Sequence, residues 1–242
     1  MNSTVTAGDA RQFMVRPGTF DDYIVESVYR LNEYRLPPQL PNRTVVIDIG
    51  AHIGAFSLAA VDRGAQNVLA VEPTNENRML AAHNMRVELT TGQVQLSFAA
   101  AAGPHRVAVR MGPAPMHSGK VNTGGHRIAD READPSAQGI VGVVALDALI
   151  RKAEVELAGE HLWLKLDCES SEWEILGTCT RLDAFDVIVG EYHELPGETF
   201  GPQRPCTEEG LVDHLQSAGF TMTLERDTTT PCMGLFWASR HT

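Results

Sequence analysis

Two apolar runs of this chain end in side chains that could move a proton. The run HLWLKLD, residues 161–167, ends in Asp167, and the run FDVIVGEYH, residues 185–193, ends with Glu191 and His193. If these runs form neighbouring parallel strands, their carboxyl ends meet at one edge of a sheet, where such folds bind ligands. We therefore predict a catalytic group at Asp167, Glu191 and His193.

Two kinds of chemistry fit this group. In the first, His193 is a general base whose basicity a neighbouring carboxylate increases, which suits a hydroxyl substrate near neutral pH. In the second, the three side chains bind a divalent cation that lowers the pKa of the substrate. We favour the base, because a site for a hard cation normally offers more oxygen ligands.

The acids that follow the first run also have a structural interpretation. In LKLDCESSEWEIL, Ser171 and Glu174 have the spacing of a capping box, and acids in a first helical turn face the positive end of the helix dipole. This interpretation accounts for Glu172 and Glu174, and it places Glu169 at the helix start. It leaves Asp167 without a structural role.

A glycine-containing turn gives the strongest ligand signal. In VVIDIGAHIGAFSLAA an apolar strand leads through Gly50 and Gly54 into a helix, and glycines at such a turn allow close approach of a ligand to the backbone. Glu72 ends the next strand, where a carboxylate can accept both ribose hydroxyl protons. Because G-x-G-x-x-G is missing, the pattern favours an adenosine-type ligand without a diphosphate. The alternative is a tight turn with Glu72 in solvent.

Short apolar runs alternate with helical patterns along most of the chain, which predicts an α/β fold with a parallel sheet covered on both faces. The predicted strands are 44–50, 67–73, 94–100, 161–167 and 185–193, followed by a hairpin of 221–225 and 234–240 at one sheet edge. The predicted helices are 55–64, 76–88, 146–156, 171–182 and 207–219, with an earlier helix over 19–34. Residues 1–18 have no regular pattern.

The segment 106–139 interrupts this alternation with glycines and prolines. It is long for an ordinary connection, so we expect it to be a mobile flap that orders over the substrate and helps to select it. Lys165 alternates with Asp167 on one strand face, and three environments remain open for it: pairing with Asp167, pairing with Glu191, or solvent.

The amino-acid composition limits the kinds of molecule that the protein is expected to bind. The net charge of −11 opposes nonspecific binding to nucleic acid and to anionic membranes. Neither a leader nor an apolar run of spanning length is visible, so we expect a cytoplasmic protein with a small-molecule partner. The four cysteines lack C-x-x-C spacing and are expected to be free thiols.

Five segments together resemble the FkbM type of class I S-adenosylmethionine-dependent methyltransferases. They occur in the order of that family and cover roughly residues 16–240. The segments are VVIDIGAHIGAFSL, GAQNVLAVEPTNEN, VVALDALI, LWLKLDCESSEWEIL and VIVGEYHE. The resemblance implies S-adenosylmethionine as cofactor and a helical segment that covers the site before the first strand.

The resemblance also implies roles for individual residues. Asp48, Gly50, His52 and Gly54 would line the methionine and ribose parts of the cofactor. Glu72 would hold the ribose hydroxyls, with Pro73, Thr74 and Ala100 near the adenine. This chain departs from the family twice: His52 stands where Asn is usual, and Ser170 where Gly is usual. Neither change removes an acid.

We therefore predict a Rossmann-like three-layer sandwich with a mainly parallel seven-stranded sheet, its last strand antiparallel. Residues 1–42 would form an N-terminal helical cap, and 43–242 the methyltransferase domain. The expected activity is O-methylation of a hydroxyl on a small natural product or sugar. Two alternatives remain: a nicotinamide-dependent oxidoreductase or epimerase, and a noncatalytic S-adenosylmethionine-binding module.

Overall fold

A seven-stranded sheet forms the centre of the protein. The computed structural model describes residues 2–7, 11–130 and 139–240. The strands are β1 (Thr44–Ile49), β2 (Asn67–Val71), β3 (Val94–Ser97), β4 (His161–Leu166), β5 (Val187–His193), β6 (Thr221–Arg226) and β7 (Met233–Ser239). Their order is β6-β7-β5-β4-β1-β2-β3. Strands β1 to β5 are mutually parallel, and β7 is antiparallel to both of its neighbours. The predicted sheet and edge hairpin are confirmed.

Helices connect the parallel strands and cover the sheet. They are α1 (Asp21–Glu26), α2 (Ala55–Asp62), α3 (Asn75–Asn84), α4 (Arg86–Thr91), α5 (Leu146–Arg151), α6 (Glu172–Thr178) and α7 (Glu208–Ser217). Helices α1 and α5 continue as π-helical turns, Ser27–Leu31 and Lys152–Glu156, and Leu182–Ala184 is a 3₁₀ turn. The predicted helix 76–88 is divided at Met85, whose φ of −96° and ψ of 18° lie outside the helical region. The predicted helix 171–182 ends at Thr178.

Each face of the sheet packs against its own core because alternate strand residues point to opposite sides. On β1, Val45 and Ile47 belong to the cluster formed with α5, α6 and α7. Val46 belongs to the other cluster, which contains residues of α2 and α3. The N-terminal segment contributes Phe13 and Val25 to this second cluster. The three-layer arrangement thus includes the segment before β1.

The first eighteen residues contain structure that the sequence pattern did not indicate. Ser3–Ala7 and Arg11–Val15 pair as an antiparallel hairpin, so the expectation of an irregular segment is wrong there. Phe13 and Val15 alternate inward into the core. Arg11 pairs with Asp62 and Glu88, which ties the hairpin to α2 and α4. The alternation spans too few residues to stand out in the sequence.

The segment 106–139 is also more regular than expected. Short strands occur at Ala108–Met111, Met116–His117, Lys120–Val121 and Ile128–Asp130. The first and the last of these join Ala100–Ala101 and Ile140–Val144 in a separate four-stranded sheet. Residues 131–138 of this segment lie outside the described residues. Residues 106–130 therefore form an ordered wall rather than an irregular loop.

Candidate functional site

Two adjoining cavities lie at the carboxyl ends of the parallel strands. The first cavity is lined by Gly50, His52, Glu72, Pro73, Ala100 and Lys165, with apolar residues of the cap and of segment 106–130. The second cavity is bordered by α1, the π-helical turn and the β6–β7 hairpin. Asp167 and Tyr34 belong to the walls of both cavities. A molecule in either cavity could therefore reach Asp167.

The turn after β1 requires glycine because another strand lies against it. Gly50 has a φ of +79°, and a Cβ at this position would lie 1.8 Å from the carbonyl oxygen of Asp167. The steric requirement thus comes from the end of β4. Gly54 has a φ of +87° and begins α2, where a Cβ would meet the Met85 side chain.

Glu72 is a buried carboxylate that neutral donors hold in place. Its Oε2 accepts the backbone N–H of His52 at 2.9 Å, and its Oε1 accepts the backbone N–H of Thr74 at 2.9 Å. The Thr74 hydroxyl and the Asn77 amide also donate to Oε1. Burial raises the pKa of Glu72, although these donors oppose the shift. The carboxylate is therefore positioned at the wall of the first cavity without a partner of opposite charge in this set of contacts.

The residues that the resemblance placed around a cofactor separate into two groups. Gly50, His52, Glu72, Pro73 and Ala100 line the first cavity. Asp48, Gly54 and Thr74 lie behind that lining and support it. Asp48 is fully buried, accepts the Ser57 hydroxyl at 2.6 Å and lies 3.3 Å from the Lys165 ammonium. Asp48 therefore contacts the lining of the cavity through Lys165 and does not itself face the cavity.

Lys165 contacts both the turn after β1 and the end of β4. Its ammonium donates to the Gly50 carbonyl at 2.7 Å and lies 3.7 Å from Asp167 Oδ2. Burial would lower the pKa of Lys165, but Asp48 and Asp167 raise it. Of the three environments left open, the structure selects pairing with Asp167, with Asp48 as a further partner. The Tyr34 hydroxyl also donates to Asp167 Oδ2, at 3.1 Å.

The surroundings of His193 disfavour the role of general base. Its Nδ1 lies 3.0 Å from Glu172 Oε1, and its Nε2 lies 3.5 Å from Glu169 and 3.7 Å from Glu191. Burial would lower the pKa of His193, but these three carboxylates raise it to about 10. This raised pKa favours a protonated imidazole at neutral pH and so disfavours His193 as the base, a role that stays a prediction.

The start of α6 differs from the predicted capping box. The Ser171 side chain makes no capping hydrogen bond. Glu172 instead accepts both the backbone N–H and Nδ1 of His193, and Glu174 accepts the backbone N–H of Gly103 at 3.0 Å. Ser170 has a φ of +75°, which fits its place where the family usually has Gly. The acids of this stretch bind distant segments, so the capping-box interpretation is wrong.

Sequence reasoning missed a polar network around His52. Arg16 and Asp21 of the cap, Asn77 of α3 and Thr123 of segment 106–130 converge on the imidazole or on one another. Isolated polar residues in unpatterned stretches carry no periodic signal, so only the tertiary structure reveals this network. Tyr34, which contacts Asp167, was also missed as a site residue.

The described residues contain no group of three or more His, Cys, Asp or Glu side chains arranged to hold a metal ion. None of the helices in these parts of the chain has the length and apolar character needed to cross a membrane. All four cysteines are free thiols, as predicted.

Comparisons with known proteins give one family match and several similar solved structures. The family model described as "Methyltransferase FkbM domain" matches residues 48–222. No curated protein sequence is significantly similar to the chain. The fold is similar to that of precorrin-6y C5,15-methyltransferase from Geobacter metallireducens, at 14% identity and a TM-score of 0.43, over 94% of this chain and 93% of that one. It is similar to an FkbM methyltransferase from Methylobacillus flagellatus at 16% identity and a TM-score of 0.49, over 91% of this chain and 56% of that one.

Proposed function

Because the chain belongs to the FkbM methyltransferase family, an S-adenosylmethionine-dependent family, we propose that it methylates a hydroxyl of a small natural product or sugar. The observation that carries this proposal is the position of Asp167 at the junction of two cavities. One cavity would take the cofactor and the other the methyl acceptor, with a carboxylate between them.

The first cavity fits the cofactor by the chemistry of its walls. Glu72 offers a buried carboxylate for the two ribose hydroxyls, and Ala100 and Pro73 offer apolar surface to an adenine ring. The buried Nδ1 of His52 has no hydrogen-bond partner among the described residues, so a donor on a bound ligand would satisfy it. These residues would hold the nucleoside part without contacting a diphosphate.

Bound S-adenosylmethionine supplies a methyl group on a sulfonium, so no covalent bond to the protein is required. The protein must then position the acceptor hydroxyl and take up its proton. We assign the proton to Asp167, whose Oδ2 is held by Tyr34 and Lys165. Burial and the nearby Asp167 charge raise the pKa of Glu191 well above its usual value, and this repulsion favours proton uptake by the two carboxylates together.

The second cavity is rich in carboxylates, which bears on the acceptor. Glu33, Glu169, Glu191, Glu225 and Asp227 line it with Asp167. Burial and the Asp167 charge raise the pKa of Glu33 to about 7, so this carboxyl is only partly ionised at neutral pH. Carboxylates accept hydrogen bonds from sugar hydroxyls and repel phosphates. We therefore propose a neutral or positively charged polyhydroxylated acceptor.

A divalent cation bound by Asp167, Glu191 and His193 remains the competing mechanism. The 3.7 Å ion pair between His193 and Glu191 disfavours it, since a protonated imidazole offers no lone pair to a metal. Addition of EDTA should leave turnover unchanged. Loss of activity with EDTA and its recovery with magnesium would replace the carboxylate mechanism by the metal mechanism.

The proposed function is tested by binding and by product analysis. Calorimetric titration should show binding of S-adenosylhomocysteine and no binding of NAD. Incubation with S-adenosylmethionine and a panel of glycosides should give a methyl ether, detected by mass spectrometry after acid hydrolysis of the product. Binding without transfer to any member of a broad panel would favour a noncatalytic binding module.

A further inference from the structure

The two ring nitrogens of His52 have different surroundings. It lies in the turn after β1 with a φ of +51°, and its side chain lines the first cavity. Its Nε2 faces the cap and segment 106–130, whereas its Nδ1 has no hydrogen-bond partner among residues 2–7, 11–130 and 139–240. Burial lowers the pKa of His52 to about 4, so the ring is neutral at physiological pH. A neutral ring has one donor nitrogen and one acceptor nitrogen.

Arg16 makes a longer contact with this ring than Thr123 does. Its Nη2 lies 3.2 Å from His52 Nε2, but that nitrogen carries only two hydrogens. One is donated to Asp21 Oδ1 and the other to Asn77 Oδ1, each at 2.9 Å. Asp21 and Asn77 lie closer to these two hydrogens, so Nε2 receives at most a shared hydrogen bond from Arg16.

Thr123 determines which ring nitrogen carries the proton. Its hydroxyl lies 2.7 Å from Asp21 Oδ1 and 2.9 Å from His52 Nε2. Asp21 is fully buried, and although burial opposes ionisation, the hydrogen bonds from Arg16 and the other donors lower its pKa. An ionised carboxylate only accepts, so the Thr123 proton points to Asp21. The Thr123 oxygen is then free to accept the proton on His52 Nε2.

We propose that Asp21 and Thr123 act as positioning residues that hold His52 in the Nε2–H tautomer, so that its Nδ1 accepts a hydrogen bond from the cofactor. The donor is a ribose hydroxyl or the ammonium of the methionyl part, the two donor types that the resemblance brings near His52. This inference rests on the proposed function, since it requires an adenosine-type ligand in the first cavity. It explains how His52 can replace the usual Asn, whose side chain also offers an acceptor.

Segment 106–130 also contacts the cofactor side of the site, through Thr123. Thr123 lies 71 residues along the chain from His52 and 102 from Asp21, and its hydroxyl joins the three elements that surround the cofactor cavity. This segment therefore contributes to cofactor recognition as well as to the acceptor side. The position of Thr123 in this segment and the tautomer of His52 therefore depend on each other.

The tautomer can be measured without any ligand. In ¹⁵N-histidine-labelled protein, we expect His52 to show a protonated Nε2 and an unprotonated Nδ1 between pH 6 and 8, assigned by comparison with His52→Ala. A protonated Nδ1 in the free protein would overturn the proposal. Because this measurement needs no cofactor, its outcome is independent of the proposed function.

Binding measurements test the contact itself. Thr123→Val removes the hydroxyl and keeps the shape, so it should weaken S-adenosylhomocysteine binding about tenfold, the scale of one lost hydrogen bond. Thr123→Ser should restore the affinity, and the exposed Thr90→Val on α4 should leave it unchanged. Equal affinity of Thr123→Val and the native protein would overturn the contact. No binding by the native protein would overturn both this inference and the proposed function.

A second ligand identifies the donor. 5′-Methylthioadenosine keeps the ribose hydroxyls and lacks the methionyl ammonium. If the penalty of Thr123→Val persists with this ligand, a ribose hydroxyl is the donor. If the penalty disappears, the ammonium is the donor.

Discussion

The two halves of the site treat their carboxylates differently. At the ends of β1 and β2, Glu72 receives its hydrogen bonds from backbone N–H groups, an amide and a hydroxyl. At the ends of β4 and β5, carboxylates face other charges: Asp167 faces Lys165, and Glu191 faces His193. The first half consists of fixed dipoles, whereas the second consists of ionisable groups whose charges depend on one another.

This difference separates binding from proton transfer. Fixed neutral donors hold a carboxylate in one orientation at every pH at which it is ionised, which suits recognition of an uncharged nucleoside. A set of interacting charges gains or loses protons as a unit, which suits a group that must accept a proton.

The largest effect is expected at Gly50, where the two halves meet. Gly50→Ala should prevent correct folding, because its Cβ would overlap the Asp167 carbonyl and its φ is positive. Circular dichroism and thermal unfolding would measure this. Gly142→Ala is the control, since a Cβ there meets nothing within 4 Å. The requirement for glycine at Gly50 thus comes from the end of β4 as well as from the approach of a ligand. A stable Gly50→Ala protein would refute this explanation.

The next effect is expected in the ionisable half. Asp167→Asn should lower turnover at least about a hundredfold and leave S-adenosylhomocysteine affinity nearly unchanged, because an amide cannot take up the proton of the acceptor. Single-turnover kinetics and calorimetry separate the two quantities. Asp213→Asn, on the exposed face of α7, is the matched control. Full activity of Asp167→Asn would leave this carboxylate with a structural role only.

Glu72→Ala tests the fixed half. It should weaken S-adenosylhomocysteine binding by about thirtyfold to a hundredfold, because two charge-assisted hydrogen bonds, each worth roughly 1.5–3 kcal/mol before compensation by water, would be lost. Glu76→Ala, in the exposed first turn of α3, is the control. A dissociation constant that hardly changes would mean that Glu72 does not hold the ribose.

His193 should make the ionisable half sensitive to alkaline pH. Its folded pKa of about 10 lies above the usual value near 6.5, so its stabilising contribution is complete below pH 6.5 and is lost as the pH rises toward 10. The native protein should lose about 2 kcal/mol of unfolding free energy between pH 7 and 9, measured with urea. His193→Gln should lose less, and the exposed His83→Gln should behave like the native protein. If His193→Gln loses as much unfolding free energy between pH 7 and 9 as His83→Gln does, the charges around His193 are not the cause of the loss.

The smallest effect concerns segment 106–130. If Thr123 couples it to His52, S-adenosylhomocysteine alone should slow tryptic cleavage within the segment about threefold. The sequence pattern alone predicts that the segment orders over the substrate, so it predicts no protection by the cofactor alone. Protection by the cofactor alone would support the coupling, and equal cleavage with and without it would contradict the coupling.

The central strands and several residues at their ends could be predicted from the sequence alone. The apolar runs predicted the central strands, because a strand buried on both faces requires continuous hydrophobic residues. The positions of Gly50, Glu72 and Asp167 followed as well, since the ends of parallel strands meet at one edge. These features depend on residues that are close together in the chain.

Other features depended on contacts between distant segments. The pKa of His193 is raised because Glu172, Glu169 and Glu191 surround it in space, and Thr123 meets His52 although no pattern connects them. The protonation of a side chain depends on the charges and the burial around it, which arise only when separate elements pack. The sequence by itself therefore determined that Gly50, Glu72 and Asp167 follow the ends of parallel strands, and the tertiary structure decided which other side chains join them and which charges surround each one.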